Sequence, residues 1–365
     1  MWHTWLGSQW QKRGVVAWIL RPLSWIYRLV ILVRESLFRL GVLKVFNLDV
    51  PVVIVGNIYV GGTGKTPAIL SLIEELRARG WHPGLVSRGY GAKASPYPVC
   101  GRGEVSSQQF GDEPAMIAKK TDVPVAVYPD RPQAAQALLA FDPMVDVILS
   151  DDGLQHWRLG RDIEILVQDE RGTGNGLVLP AGPLREPAAR LKRVNVVLTR
   201  RSVCNLSKST RGANIVRADF AVKVDRFRHL GTGHEVLPED FSRNMAGSKG
   251  LLAVAGIGVP ERFFADLRSL GIPPTRTLGL ADHGHLDAAW LCEQPEQTIL
   301  VTEKDAVKLL APDQTASISD PTASVNPSTR FVDKRIWVGV AKSHWADKEL
   351  FEWLDDRLKS WRSSH

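Results

Sequence analysis

Residues 52–66 read VVIVGNIYVGGTGKT, a nearly all-apolar run that stops at a glycine-rich turn and opens into Lys-Thr-Pro. Such a run is expected as a strand buried on both faces of a parallel sheet. The amphipathic pattern over 67–79, with Pro67 at its start and Gly80 at its stop, predicts the helix that follows. Strand, glycine turn and helix in that order make a phosphate cradle: backbone N–H groups clear of side chains, a cation, and the positive end of a helix. Gly61, Gly62, Thr63, Gly64, Lys65 and Thr66 are therefore expected to bind ATP phosphates. Lys65 would bridge the β- and γ-phosphates, and the Thr66 hydroxyl would ligate Mg²⁺. The usual G-x-x-x-x-G-K-[ST] formula is met except at its first glycine, where Tyr59 stands.

More apolar runs at 84–87, 123–128, 145–150, 163–168 and 194–199 read as strands, with helical stretches around 113–120 and 131–141. Strands alternating with helices imply βαβ units and a covered parallel sheet. From about 200 to 249 the pattern becomes polar and irregular. A second α/β block follows, with strands at 250–257, 297–301 and 336–340, a helix led by Pro260 and a closing helix near 347–361. The stretch 311–329 is rich in Ser, Thr, Ala, Pro and Asp and reads as a surface insertion. The expected class is α/β: two P-loop or Rossmann-like α/β/α domains with mostly parallel sheets, plus an N-terminal amphipathic helix. The expected limits are 1–44 for that helix, 45–205 for the phosphate-loop domain, 206–249 for a connection and 250–365 for a smaller C-terminal domain.

The net charge of +7 is concentrated at the start. Lys12, Arg13, Arg21, Arg28, Arg34, Arg39 and Lys44 against Glu35 alone account for +6 of it, so nucleic acid is not an expected partner. The same segment carries Trp2, Trp5, Trp10, Trp18 and Trp25. Arg21, Arg28 and Arg34 interrupt its apolar runs, so a bilayer span is not expected, and no small-residue cleavage site marks a leader. At 100° per residue Arg21, Arg28, Glu35 and Arg39 form one narrow polar stripe in an apolar helix. That pattern predicts a helix lying in a membrane interface, the alternative being a helix packed on the core with its stripe in water. Cys100, Cys204 and Cys292 are scattered and form no CxxC pair, which argues against a disulfide framework or zinc site and fits a reducing cytosol.

The run at 145–150 leads straight into Asp151-Asp152-Gly153, where a phosphate-loop enzyme keeps its metal-binding acid. Two adjacent carboxylates repel unless a metal or donor separates them. One is expected to hold the metal and the other to face substrate, the sequence leaving open which.

Several segments together resemble the tetraacyldisaccharide 4′-kinases of lipid A biosynthesis. They are GNIYVGGTGKTP (56–67), VSRGYG (86–91), GDEP (111–114), YPDRPQAA around Arg131, SDDGLQHWRLGRD (150–162), GNGLVLPAGPLREP (174–187), AGIGVPERFF (255–264), ADHGH (281–285) and TEKDAVK (302–308). The order matches the family over roughly 40–345, and that family's loop also tends to lack the first glycine. The resemblance implies transfer of the γ-phosphate of ATP to the 4′-hydroxyl of a membrane-embedded disaccharide lipid. It implies a peripheral enzyme on the cytoplasmic face of the bacterial inner membrane, with no obligate protein partner evident. It further implies an Asp112–His283 pair assisting deprotonation of the hydroxyl. Arg88, Tyr90, Arg131, Asp152, Gln155 and His156 would lie at the substrate, and Thr66, Asp151 and Glu186 at the Mg²⁺. Gly284 departs from the family's frequent second histidine, and His285 follows it. A P-loop GTPase or ATPase switch, or a metallochaperone, would need an NKxD-type base-reading motif, of which TEKD at 302–305 is a faint echo. A non-catalytic membrane protein with a relic loop would not need Lys65, Thr66 and the Asp pair together.

Overall fold

The computed structural model describes residues 10–212, 214–245, 250–280, 286, 288–310 and 336–364. His283, His285 and the expected insertion at 311–329 lie outside the described residues, as do Trp2 and Trp5.

In chain order the helices are α1 (Val15–Arg39), α2 (Lys65–Ala78), α3 (Ser107–Phe110), α4 (Asp112–Thr121), α5 (Arg131–Phe141), α6 (Pro238–Met245), α7 (Pro260–Ser269), α8 (Ala288–Cys292), α9 (Glu303–Leu310) and α10 (Glu349–Ser364). The strands are β1 (Val52–Gly56), β2 (Pro83–Ser87), β3 (Val99–Gly101), β4 (Val125–Val127), β5 (Val147–Asp151), β6 (Ile163–Asp169), β7 (Val196–Arg200), β8 (Thr210–Arg211), β9 (Val216–His229), β10 (Glu235–Val236), β11 (Leu251–Ala255), β12 (Arg276–Gly279), β13 (Thr298–Thr302) and β14 (Ile336–Trp345). Their order is β12-β11-β13-β14-β9-β7-β6-β1-β5-β2-β4-β3, with β8 and β10 beside β9. The first lobe, from β7 to β4, is parallel with an antiparallel edge at β3, and the second, β12-β11-β13-β14, is parallel throughout.

The polar stretch after 200, expected to be irregular, instead contains the longest described strand. β9 pairs in parallel with β7 at its start and antiparallel with β14 along the rest, so one sheet runs through both lobes. Its signal was weak because alternate residues are half-buried Lys, Asp and Arg rather than apolar. A second departure concerns 250–365. From the far end of that segment α10 crosses back, and Leu350, Phe351, Leu354 and Leu358 pack in the first lobe's core with Leu72, Ile73 and Leu76 of α2.

Helix α1 inverts the arrangement expected of a surface helix. Its polar flank faces the protein: Ser24 Oγ donates to the Val178 carbonyl at 2.9 Å, Tyr27 Oη to the Arg185 carbonyl at 3.2 Å, and Glu35 pairs with Arg193. Trp18, Ile19, Trp25, Ile26, Leu29 and Val33 point outward, Trp25 being 62% exposed. Of the polar stripe Glu35 is buried while Arg28 and Arg39 are exposed, and it is the packing of the apolar face on the core that the structure does not show. By length and composition alone α1 could also cross a membrane, so its arginines interrupt it less than their spacing suggested. An exposed apolar face this large on one helix marks a surface that meets lipid or protein.

Candidate active site

Residues of both lobes line a cleft of about 250 Å³, including Gly62–Thr66, Glu113 and Arg200 of the first and Val259, Phe263 and Lys304 of the second. Its floor is the turn after β1. Asn57 shapes that turn, its Nδ2 donating to the Gly61 carbonyl at 3.2 Å and to Thr63 Oγ1 at 3.0 Å. Gly64 has φ +98°, and a Cβ there would meet Arg200 Cδ at 2.8 Å, so only glycine fits. Tyr59 is absent from the positive-φ residues, and its buried ring lies under the Arg171 guanidinium at 4.4 Å. The position therefore needs no glycine, which explains the departure from the usual formula.

Register brings the acids to the loop. β5 pairs with β1 so that Asp151 lies opposite Val55, next to the strand end that opens the loop. Lys65 Nζ lies 3.3 Å from Asp152 Oδ1, and Arg185 Nη1 lies 2.9 Å from Asp152 Oδ2. Burial raises the Asp152 carboxyl, but Lys65 and Arg185 outweigh it and hold the group below the usual carboxylate range. Asp151 is the opposite case. Burial first, then the negative charge of Glu113, push it up to about 6 against the pull of Lys65. Ser87 Oγ donates to Asp151 Oδ2 at 3.3 Å, while the buried Oδ1 has no hydrogen-bond partner among the described residues.

Glu113, a neighbour of Asp112 that the motif reading passed over, closes the arrangement. Thr66 Oγ1 donates to its Oε2 at 3.1 Å, and Lys304 Nζ sits 3.3 Å from its Oε1. The unfilled Asp151 oxygen, the repulsion between Asp151 and Glu113 and the adjacent Thr66 hydroxyl suit a hard divalent cation. No group of three or more His, Cys, Asp or Glu forms a metal cage among the described residues.

The remaining sequence candidates fall into two groups. Gln155 Nε2 donates to the Asn57 carbonyl at 3.2 Å and to Glu186 Oε1 at 2.6 Å, and Arg190 Nε lies 3.1 Å from Glu186 Oε2. Both Glu186 oxygens are engaged, by Gln155 and Arg190, as both Glu113 oxygens are by Thr66 and Lys304. Arg131, expected at the substrate, is 1% exposed and donates to the Asp151 carbonyl at 2.8 Å, so it holds the acid turn from behind. The second group faces outward. Tyr90 is exposed, and His156 is pushed down to about 4 by burial and by the charges of Arg131, Arg88 and Arg34. Arg34 belongs to α1, which puts the apolar helix beside this basic surface.

Asp112 opens α4 directly after Gly111, whose φ is +83° and whose Cβ, if present, would meet the Tyr90 carbonyl at 2.5 Å. That contact explains why VSRGYG and GDEP occur together: the two loops touch through a backbone that only glycine allows. Asp112 is a helix N1 residue, not the N-cap.

A phosphate loop with its lysine, a carboxylate at the end of the adjacent strand and an open acceptor side define a P-loop phosphotransferase. The model of the family described as tetraacyldisaccharide-1-P 4′-kinase matches residues 16–358. A tetraacyldisaccharide 4′-kinase of Bordetella petrii is 44% identical over 353 residues, covering 96% of this chain and 94% of that one. One from Ectopseudomonas mendocina is 43% identical over 345 residues, covering 93% and 95%. The crystal structure of the Aquifex aeolicus enzyme of the family, in complex with ATP, aligns with TM-score 0.73 at 25% identity over 94% of this chain and 99% of that one. The chain belongs to the tetraacyldisaccharide-1-P 4′-kinase family and is an ATP-dependent kinase of lipid A biosynthesis.

Proposed function

We propose that the cleft transfers the γ-phosphate of ATP to the 4′-hydroxyl of a tetraacylated glucosamine disaccharide 1-phosphate. The transition state of such a transfer is loose, so positioning and charge neutralisation dominate. Gly61–Gly64 present backbone N–H groups to the phosphates and Lys65 neutralises charge on them. Mg²⁺ would be held by Thr66, Asp151 and Glu113 and would supply charge neutralisation at the transferring phosphate. Asp152, shared by Lys65 and Arg185, fixes the lysine's direction. Gln155, Glu186 and Arg190 fix the loop's entry through the Asn57 carbonyl.

The acceptor approaches from the side of Asp112, Arg88, Tyr90 and His156. With His156 uncharged near neutral pH, the sugar meets a hydrogen-bonding imidazole there, while Arg88 supplies charge for phosphate. His283 pairs with Asp112 to take the hydroxyl proton. If the two act as one unit, Asp112→Ala and His283→Ala each lower kcat by about 10²–10³-fold with ATP affinity unchanged, and the double variant is no worse than the poorer single. Steady-state kinetics on lipid in mixed micelles reads this, and additive losses would refute the pair.

The single observation that carries the membrane part of this reading is the outward apolar face of α1 beside the acceptor surface. A multiply acylated glycolipid stays in the bilayer, so the enzyme lies on the cytoplasmic face of the inner membrane with that face among the acyl chains. Leu29→Glu with Val33→Lys is expected to cut vesicle partitioning by about 10²-fold while leaving Tm unchanged, because both side chains are already outside the fold. Vesicle cosedimentation and a melting curve check it together.

A further inference from the structure

We propose that Lys304 is a second phosphate-binding lysine, delivered by the second lobe, which contacts the γ-phosphate and makes the cleft select ATP over ADP. The inference rests on the reading of the cleft as the nucleotide site and assigns a residue of that site which the phosphate loop does not contain.

Thr302-Glu303-Lys304-Asp305 forms the junction between β13 and α9. Asp305 is fully buried and fastens that junction: its Oδ2 accepts the Gly256 N–H at 2.8 Å and the Thr302 hydroxyl at 2.6 Å. The turn is therefore fixed to the end of β11, and Lys304 projects from a rigid base. Its side chain lines the cleft together with Lys65 and Thr66, and its Nζ lies 3.3 Å from Glu113 Oε1. The other oxygen of that carboxylate accepts from Thr66, the residue that follows Lys65 at the loop's helix start. One carboxylate thus spans the first lobe's phosphate-loop threonine and the second lobe's lysine.

Lys65 is directed by Asp152, so the two ammonium groups are held by different acids on the same cleft. A terminal phosphate beside Thr66 enters within reach of Lys304 and carries more charge than a carboxylate, so it competes with Glu113 for the ammonium. ADP ends one phosphate short and leaves Lys304 on Glu113. The bland alternative is a plain ion pair holding the lobes together. That role has its own occupant nearby: Lys120 Nζ lies 2.6 Å from Glu303 Oε2, which also accepts the Ala341 N–H at 3.0 Å.

The test is calorimetric titration of the full chain with MgATP and MgADP. Lys304→Met is expected to weaken ATP about 10–100-fold and ADP by less than about twofold. Lys304→Gln, which still donates to Glu113 and so keeps the lobes in contact, gives the same result and replaces the methionine variant should that fail to fold. Lys304→Arg restores part of the preference. Lys120→Met leaves the ATP-to-ADP ratio as in the parent. Equal loss of both nucleotides in the Lys304 variants, or an unchanged ratio, overturns the proposal. Failure of the underlying site reading looks different: Lys65→Ala would then bind both nucleotides like the parent.

Discussion

Asp151→Asn is expected to abolish kinase activity while making the protein more stable. The carboxyl sits at the end of β5 with burial and Glu113 raising it to about 6, above the usual value of an unfolded aspartate. The folded chain then binds the proton more tightly than the unfolded one. Below about pH 4 the group is protonated in both states and costs nothing; the penalty grows as pH rises to about 6 and is complete above it. At roughly 1.4 kcal/mol per pKa unit the penalty is of the order of 2–3 kcal/mol at neutral pH. Asparagine does not ionise, keeps an oxygen for the Ser87 hydroxyl and escapes that cost. Its Tm should exceed the parent's by several degrees at pH 7.5, with the gap closing as pH falls through 6. Its kcat should fall by at least about 10³-fold, since the carboxylate proposed to hold Mg²⁺ is lost. On the same proposal the parent's kcat/KM for ATP should also decline below about pH 6, where Asp151 takes up a proton. Loss of activity together with lower stability at neutral pH would mean that Asp151 is a structural anchor instead. The stability curve comes from thermal melts between pH 4 and 8.

Lys65→Ala carries the second large effect. Its ammonium is the only phosphate-loop side-chain cation, and it is aimed by Asp152. Removing it takes away charge neutralisation in the transition state, and kcat should fall about 10³-fold or more. The fold should survive, because Arg185 still pairs with Asp152 and keeps that carboxylate from being stranded. Lys65→Arg should recover little, since a planar fork does not replace a compact point charge in a tight loop. Near-parental turnover in Lys65→Ala, measured at saturating ATP, would remove the loop from the chemistry.

The sequence made some of this architecture legible and hid the rest for identifiable reasons. β1, β5 and β6 were readable because strands buried on both faces are continuous apolar runs. β9 was not, because it carries charged residues at half-buried positions and draws its stability from β7 and β14, far away in the chain. The phosphate loop and the Asp pair were local and therefore visible. Glu113 was in plain view within GDEP but drew no notice, since its role depends on Thr66 and Lys304 meeting it from two lobes. Arg131 and Glu186 show the converse. Both are of site-forming types in site-forming segments, yet burial turns the first behind the acid turn and places the second between Gln155 and Arg190. In α1 the period was legible, but its direction stood open between a membrane interface and the core. An amphipathic helix does not say which face meets the protein, and Ser24, Tyr27 and Glu35 settle that only through partners at 178–193.

The central claim is that this cleft hands the γ-phosphate to a lipid acceptor and not to water. Incubation with γ-labelled ATP and a tetraacyldisaccharide 1-phosphate in mixed micelles measures it directly, with the label located after extraction and chromatography. The account predicts label in the lipid at the 4′ position for the parent, and none for Lys65→Ala or Asp151→Asn. Release of labelled inorganic phosphate with unlabelled lipid would contradict it.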